Sequence, residues 1–158
     1  MKISILLPYK ENFSPEYPGA VSLFVNDTSK LSKYKKNIII YGNTNYKKTF
    51  NLNYKNINLS KIRFSSQSKR YVAEFYKLEK EKNSDLIEIH NRPNYLFTLI
   101  PKLGKKNYVI YFHNDPLTMA GSKSVNERKY LLKNCYKIVF NSNWSVSYTH
   151  LTLPTTPY

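Results

Sequence analysis

Short apolar runs alternate with longer amphipathic segments along most of this chain. The runs cover residues 2–7, 37–41, 85–89, 108–112 and 137–140, and each ends at Pro, Gly, His or Asn. Short, near-continuous apolar runs bounded by such residues are typical of buried parallel strands. Because helix-length segments separate the runs, we predict an α/β fold, a doubly wound, Rossmann-like parallel sheet with helices on both faces.

The segments between the runs show helical periodicity. Helices are predicted from Gly19 to about Ser32, over residues 67–83, from Pro93 to residue 99 or 100, and over residues 124–134. An Asn-rich stretch, residues 44–60, predicts only a short additional strand near residues 57–59. The charged face at residues 79–82 is predicted to be solvated.

The chain is strongly basic, with 25 Lys and Arg against 10 Asp and Glu and a formal net charge of +15. Lys, Asn, Ile and Tyr are all abundant, and all four have AT-rich codons, so genome composition accounts for the charge. The lysines are scattered and form no Arg-rich stripe. We therefore predict no nucleic-acid partner, although the charge would favour peripheral contact with an anionic membrane.

The cysteine content and the hydropathy of the chain indicate the cellular compartment in which the protein works. Cys135 is the single cysteine, which excludes an intramolecular disulfide and fits a reducing compartment. Its place after a helical pattern predicts a buried structural thiol. No apolar run approaches the roughly 20 residues that span a bilayer. The sequence predicts a cytoplasmic protein, free or at the membrane surface.

Polar side chains stand where the predicted strands end. These are His90, Asn91 and Arg92, then His113, Asn114 and Asp115, and then Asn141 and Ser142. Ligands of open α/β sheets bind at the carboxyl ends of the strands. His90 and His113 occupy equivalent positions on two strands predicted to be neighbours, so a functional role and a structural role are equally compatible with them. Gly19, before the first helix, is compatible with anion binding or with simple packing.

Other site chemistries find no support in the residue spacing. The three histidines and one cysteine never cluster in sequence, so no metal site is predicted, and no cofactor is predicted either. The three-glycine dinucleotide fingerprint is absent, because Gly19 stands alone.

Four segments, in order, carry a resemblance to a known family. They are KISILLPYKENFSPEYPGAVSLFVND, DLIEIHNRP, YVIYFHNDP and NCYKIVFNSNWS. Over about residues 1–145 the chain resembles the N-terminal half of a family-4 glycosyltransferase with the GT-B fold. The resemblance implies a retaining transfer of a sugar from a nucleotide-sugar to a glycan or lipid-linked acceptor, in cell-surface polysaccharide synthesis, without a metal.

By matching position, the resemblance also implies roles for six residues. It places His113 at the reacting centre, Gly19, Asn114 and Ser142 at the donor, and His90 and Arg92 on the acceptor side. The family binds its donor mainly through a C-terminal domain with paired glutamates, which these residues do not include. Many relatives also have a second glycine in the first loop. The chain alone is therefore expected to be inactive.

The last residues differ in composition from the rest. Residues 146–158, VSYTHLTLPTTPY, hold two prolines and four threonines but no Lys, Asn or Ile. The string resembles a translated sequencing adapter, so we predict a domain over residues 1–145 and a non-native tail without order. Two alternatives remain for the domain: another nucleotide-sugar enzyme such as an epimerase or reductase, or a basic, non-enzymatic module that binds nucleic acid or anionic lipid.

Overall fold

A computed structural model describes residues 1–59 and 65–141 of the chain. Its strands are β1 (Ile3–Leu6), β2 (Ile38–Gly42), β3 (Tyr54–Asn56), β4 (Leu86–His90), β5 (Asn107–Phe112) and β6 (Lys137–Phe140). Its helices are α1 (Ala20–Leu31), α2 (Gln67–Lys82), α3 (Leu96–Leu103) and α4 (Val125–Asn134). Short 3-10 turns lie at Lys35–Asn37, Pro93–Tyr95 and Pro116–Thr118.

All six strands form one parallel sheet in the order β3-β2-β1-β4-β5-β6. β1 lies at the centre, where Ile3 pairs with Ile38 of β2 on one side and with Leu86 of β4 on the other. The chain winds outward from β1 in one direction and then from β4 in the other. The predicted doubly wound, Rossmann-like fold is confirmed, and its topological switch point lies between β1 and β4.

Alternating side chains fill a core on each face of the sheet. On one face, Ile3 and Ile5 of β1 pack with Val21 and Val25 of α1. On the other face, Leu6 belongs to a larger cluster that includes residues of α2, α3 and α4. Each such buried aliphatic side chain contributes about 1.5–3 kcal/mol relative to exposure. The first helix therefore covers one face, and the later three helices cover the other.

The strand predictions agree with the structure within one or two residues, except for the additional strand near residues 57–59. That strand instead forms at Tyr54–Asn56. Ile57 produced the apolar signal, but it lies one residue after the strand. Its N–H still donates to the Gly42 carbonyl of β2 at 2.7 Å, and its side chain belongs to the core cluster that contains residues of α2. The apolar residue thus marks where the chain turns inward and not the strand itself.

Two further predictions concern polar residues. Glu79 was predicted to be solvated, and this is wrong, because its side chain is 0% exposed and bonded to Ser4 and Ser84. Cys135 is only partly buried against the larger core, where burial raises the pKa of its thiol to about 12. The predicted tail, residues 146–158, lies outside the described residues. Among the helices that are described, none is both long and apolar enough to cross a membrane.

Candidate functional site

The carboxyl ends of β4, β5 and β6 bring three side chains together. His90 is the last residue of β4, His113 follows β5, and Asn141 follows β6. Nδ1 of His90 lies 2.9 Å from Nε2 of His113, and Nδ1 of His113 lies 2.5 Å from Nδ2 of Asn141. The two histidines that the sequence placed on neighbouring strands are therefore hydrogen-bonded, and the bonded series continues to a third strand.

Asn91 fixes the geometry of this edge. Its Oδ1 accepts hydrogen bonds from the backbone N–H of His113 at 2.9 Å and of Asn114 at 3.3 Å. Its own N–H donates to the Tyr111 carbonyl at 2.8 Å. Asn91 has φ of 55°, a left-handed conformation that asparagine tolerates better than most residues. The side chain thus holds the turn after β4 against the turn after β5.

The surroundings of the histidine pair are aromatic. His90 is 1% exposed and stacks on Tyr111 with ring centroids 4.7 Å apart. His113 is half-buried and forms a T-shaped ring contact with Phe24 from α1, with centroids 5.0 Å apart. Burial, and second the neighbouring His90, lower the pKa of His113 to about 4. At neutral pH His113 is therefore an uncharged hydrogen-bonding group.

This depressed pKa predicts a stability change with pH. Unfolded histidine titrates near 6.5, so below that pH the unfolded chain binds a proton that His113 of the folded chain does not bind until about pH 4. The His113 contribution to the free energy of unfolding is complete above pH 6.5 and is lost as the pH falls towards 4. We expect a loss of about 1–2 kcal/mol, after discounting for partial solvation.

The measurement compares wild type with His113→Leu by urea denaturation at several pH values between 7.5 and 4. Carboxylates titrate in both proteins, so the difference between the two curves isolates His113. The wild-type curve should fall more steeply than the variant curve. Parallel curves over this range would contradict the assignment.

The other predicted site residues lie at the same edge, with different accessibility. Arg92 is exposed, and its guanidinium donates to the Asn91 carbonyl at 2.7 Å. Asn114 is also exposed. His90 lies beneath His113, so it does not present its ring to solvent as a residue lining an acceptor site would. Ser142 lies outside the described residues.

Gly19 caps the N-terminus of α1, but an anion from the chain itself already lies there. Oε1 of Glu11 accepts a hydrogen bond from the N–H of Ser22 at 3.0 Å. A Cβ added at Gly19 would overlap the Glu11 carboxylate, so glycine makes room for this side chain. A helix N-terminus favours negative charge. The position expected for a donor diphosphate is thus occupied by Glu11 in this structure.

Glu88 belongs to the site although the sequence did not single it out, and Asn141 was predicted at the strand end but given no role. Glu88 lies two positions before His90 on β4, and its Oε2 is 3.7 Å from Nε2 of His90. Asn141 completes the bonded series. Alternation along a strand would have placed Glu88 on the His90 face. Within the described ranges, no group of three or more His, Cys, Asp or Glu side chains is arranged to hold a metal ion.

Comparisons of the sequence with known proteins do not assign the chain to a family. Neither a scan of the sequence against protein-family models nor a search of curated protein sequences finds a match.

Proposed function

We propose that the chain is the N-terminal, acceptor-side part of a retaining glycosyltransferase. It would move a sugar from a nucleotide-sugar to a glycan or lipid-linked acceptor in cell-surface polysaccharide synthesis. The observation that carries the proposal is the polar edge at the carboxyl ends of neighbouring parallel strands, where His113 and Asn114 follow β5 and Asn141 follows β6. The four-segment resemblance points to the same class of enzyme.

The chemistry of this edge suits a hydroxyl-rich ligand. Asn114 and Asn141 carry uncharged amide groups that offer hydrogen bonds, as sugar hydroxyls require. His113 is uncharged at neutral pH too, but both of its ring nitrogens already have partners, His90 and Asn141. Arg92, which the resemblance places on the acceptor side, is the cation among the residues predicted for the site. Because a guanidinium pairs well with phosphate, we assign its exposed side chain instead to the diphosphate of the nucleotide-sugar. A departing nucleoside diphosphate gains negative charge in the transition state, so such donors near it lower the barrier.

The alternative classes have less support. Dinucleotide-binding epimerases and reductases place a tight glycine-rich turn between β1 and α1. Here that connection runs from Leu7 to Gly19 and carries Glu11 at the helix N-terminus. A basic binding module would need clustered cations, whereas the lysines of this chain are scattered.

The test is to map ligand binding by NMR on the 15N-labelled chain. Nucleotide-sugars with several bases and hexoses are added stepwise, and amide shifts are followed. We expect weak, saturable shifts at Arg92, His113 and Asn114, because the resemblance assigns most donor contacts to a second domain. Arg92→Ala should weaken binding of the nucleotide-sugar about threefold to tenfold, as the loss of one charge-assisted bond predicts.

Lys105→Ala is the matched control, since Lys105 is an exposed cation at the opposite edge of the sheet, between α3 and β5. It should bind as wild type does. Shifts confined to the opposite edge, or equal losses in both variants, would reject the proposed site. Tight binding by this chain alone would instead favour a self-contained nucleotide-binding protein.

A further inference from the structure

The hydrogen bonds at this edge all run in one donor-to-acceptor direction, from Asn141 through His113 to His90, and Glu88 sets that direction. A carboxylate can only accept hydrogen bonds, and Oε2 of Glu88 lies 3.7 Å from Nε2 of His90. That nitrogen is buried and has no hydrogen-bond partner among the described residues. A lone pair there would face the carboxylate, whereas an N–H there is attracted to it. Glu88 therefore selects the tautomer of His90 that carries its proton on Nε2.

The remaining bonds follow from that choice. A neutral imidazole has one donor and one acceptor, so Nδ1 of His90 accepts, and Nε2 of His113 must donate to it across 2.9 Å. Nδ1 of His113 is then an acceptor. It needs a donor, which is the Nδ2 amide group of Asn141 at 2.5 Å. The low pKa of His113, about 4, keeps this ring neutral at physiological pH.

Asn141, at the exposed end of the series, is the residue that a ligand would contact. Asn141 is exposed, and with Nδ2 turned inward its carbonyl oxygen Oδ1 remains without a partner among the described residues. We infer that Asn141 is a hydroxyl-binding residue of the sugar site, and that Glu88, His90 and His113 are positioning residues that orient its amide. This inference rests on the proposed function and deepens it, because it names the chemical group that accepts a sugar hydroxyl.

The direction of the series can be measured without any ligand. Long-range 1H–15N correlation spectra of histidine-labelled chain at pH 7.5 distinguish the two tautomers of each ring. His150→Gln and single substitutions of the other histidines assign the three signals. We expect His90 and His113 both to carry the proton on Nε2. If either ring carries it on Nδ1, the inference is wrong.

Glu88→Leu tests the origin of the direction. Without the carboxylate, the Nε2 proton of His90 loses the negative charge that attracts it, and we expect a mixture of tautomers or a reversal. Glu81→Leu is the matched control, because it removes an exposed carboxylate of α2 and should leave both rings unchanged. Unchanged tautomers in folded Glu88→Leu would overturn the role of Glu88.

The ligand half of the inference is tested by NMR titration with methyl hexosides and nucleotide-hexoses. Asn141→Ala should lose about tenfold in affinity and Glu88→Leu about threefold, while Glu81→Leu binds as wild type. If wild type binds these ligands and Asn141→Ala binds equally well, Asn141 is not a hydroxyl-binding residue, although the proposed function stands. If wild type binds none of them, the proposed function fails, and the tautomers still decide the direction of the series.

Discussion

Glu79→Ala is expected to lower the free energy of unfolding by about 3–5 kcal/mol, a large share of the stability of a domain this size. The Glu79 side chain is 0% exposed. Its carboxylate accepts from Ser4 Oγ at 2.5 Å and from the N–H of Ser84 at 2.7 Å. Removing it leaves the Ser84 N–H buried without an acceptor and leaves the Ser4 and Ser84 hydroxyls only each other, 2.8 Å apart. A buried unsatisfied group costs about 1–3 kcal/mol.

The position of Glu79 explains why so many contacts depend on it. It lies near the end of α2, while Ser4 belongs to β1 and Ser84 precedes β4. The ammonium of Lys106 is 3.8 Å from the same carboxylate. One side chain therefore joins the last helical turn of α2 to the start of two central strands.

Urea denaturation of wild type and three variants measures the effect. Glu81→Ala, an exposed residue of the same helix, should change stability by less than about 0.5 kcal/mol. Glu79→Gln should lie between wild type and Glu79→Ala, because an amide oxygen still accepts but carries no charge. A loss below about 1 kcal/mol in Glu79→Ala would show that Ser4 and Ser84 find other partners.

The sequence pattern predicted the sheet well because each strand is identified by the residues of its own short segment. The run before His113 is a continuous apolar segment, the run before Asn141 is apolar from Ile138 to Phe140, and polar residues mark the ends of both. The neighbourhood of His90 and His113 could also be predicted, since carboxyl ends of adjacent parallel strands meet at one edge. These inferences need only period, length and the geometry common to all parallel sheets.

The remaining features depend on contacts between residues distant in sequence. The sequence predicts Glu79 at the surface, but it is buried because Ser4, 75 positions earlier, donates a hydrogen bond to it from a buried hydroxyl. The sequence makes Gly19 a candidate position for a ligand anion, but the first loop brings the Glu11 carboxylate to this helix N-terminus instead. A periodic pattern contains no information about which distant polar groups will satisfy one another.

Gly121→Ala is expected to destabilise the chain by about 3 kcal/mol or more, since it adds steric overlap to backbone strain. Gly121 has φ of 95°. A Cβ at this position would lie 2.6 Å from Cα of Asn94 and 2.8 Å from the carbonyl carbon of Pro93. These are backbone atoms of the turn after β4, which cannot move aside as a flexible side chain can.

Gly104→Ala separates the two causes. Gly104 has φ of 73° and ψ of −158°, a conformation that essentially only glycine adopts, but an added Cβ there would have no neighbour within 4 Å. It should therefore cost only the conformational strain, about 1–3 kcal/mol. Urea denaturation of both variants gives the contribution of the close approach as the difference between them.

The same contact holds the site together, which gives Gly121→Ala a second consequence. The loop that contains Gly121 begins at His113 and Asn114, and it rests on the turn that begins at Arg92. A loop pushed off that turn would move His113 relative to Arg92. We expect the folded fraction of Gly121→Ala to lose the nucleotide-sugar shifts at both residues, while Gly104→Ala retains them. Equal stability losses in Gly121→Ala and Gly104→Ala would mean that the loop moves away from Pro93 and Asn94 at no cost. Close packing against these two residues would then not position the site.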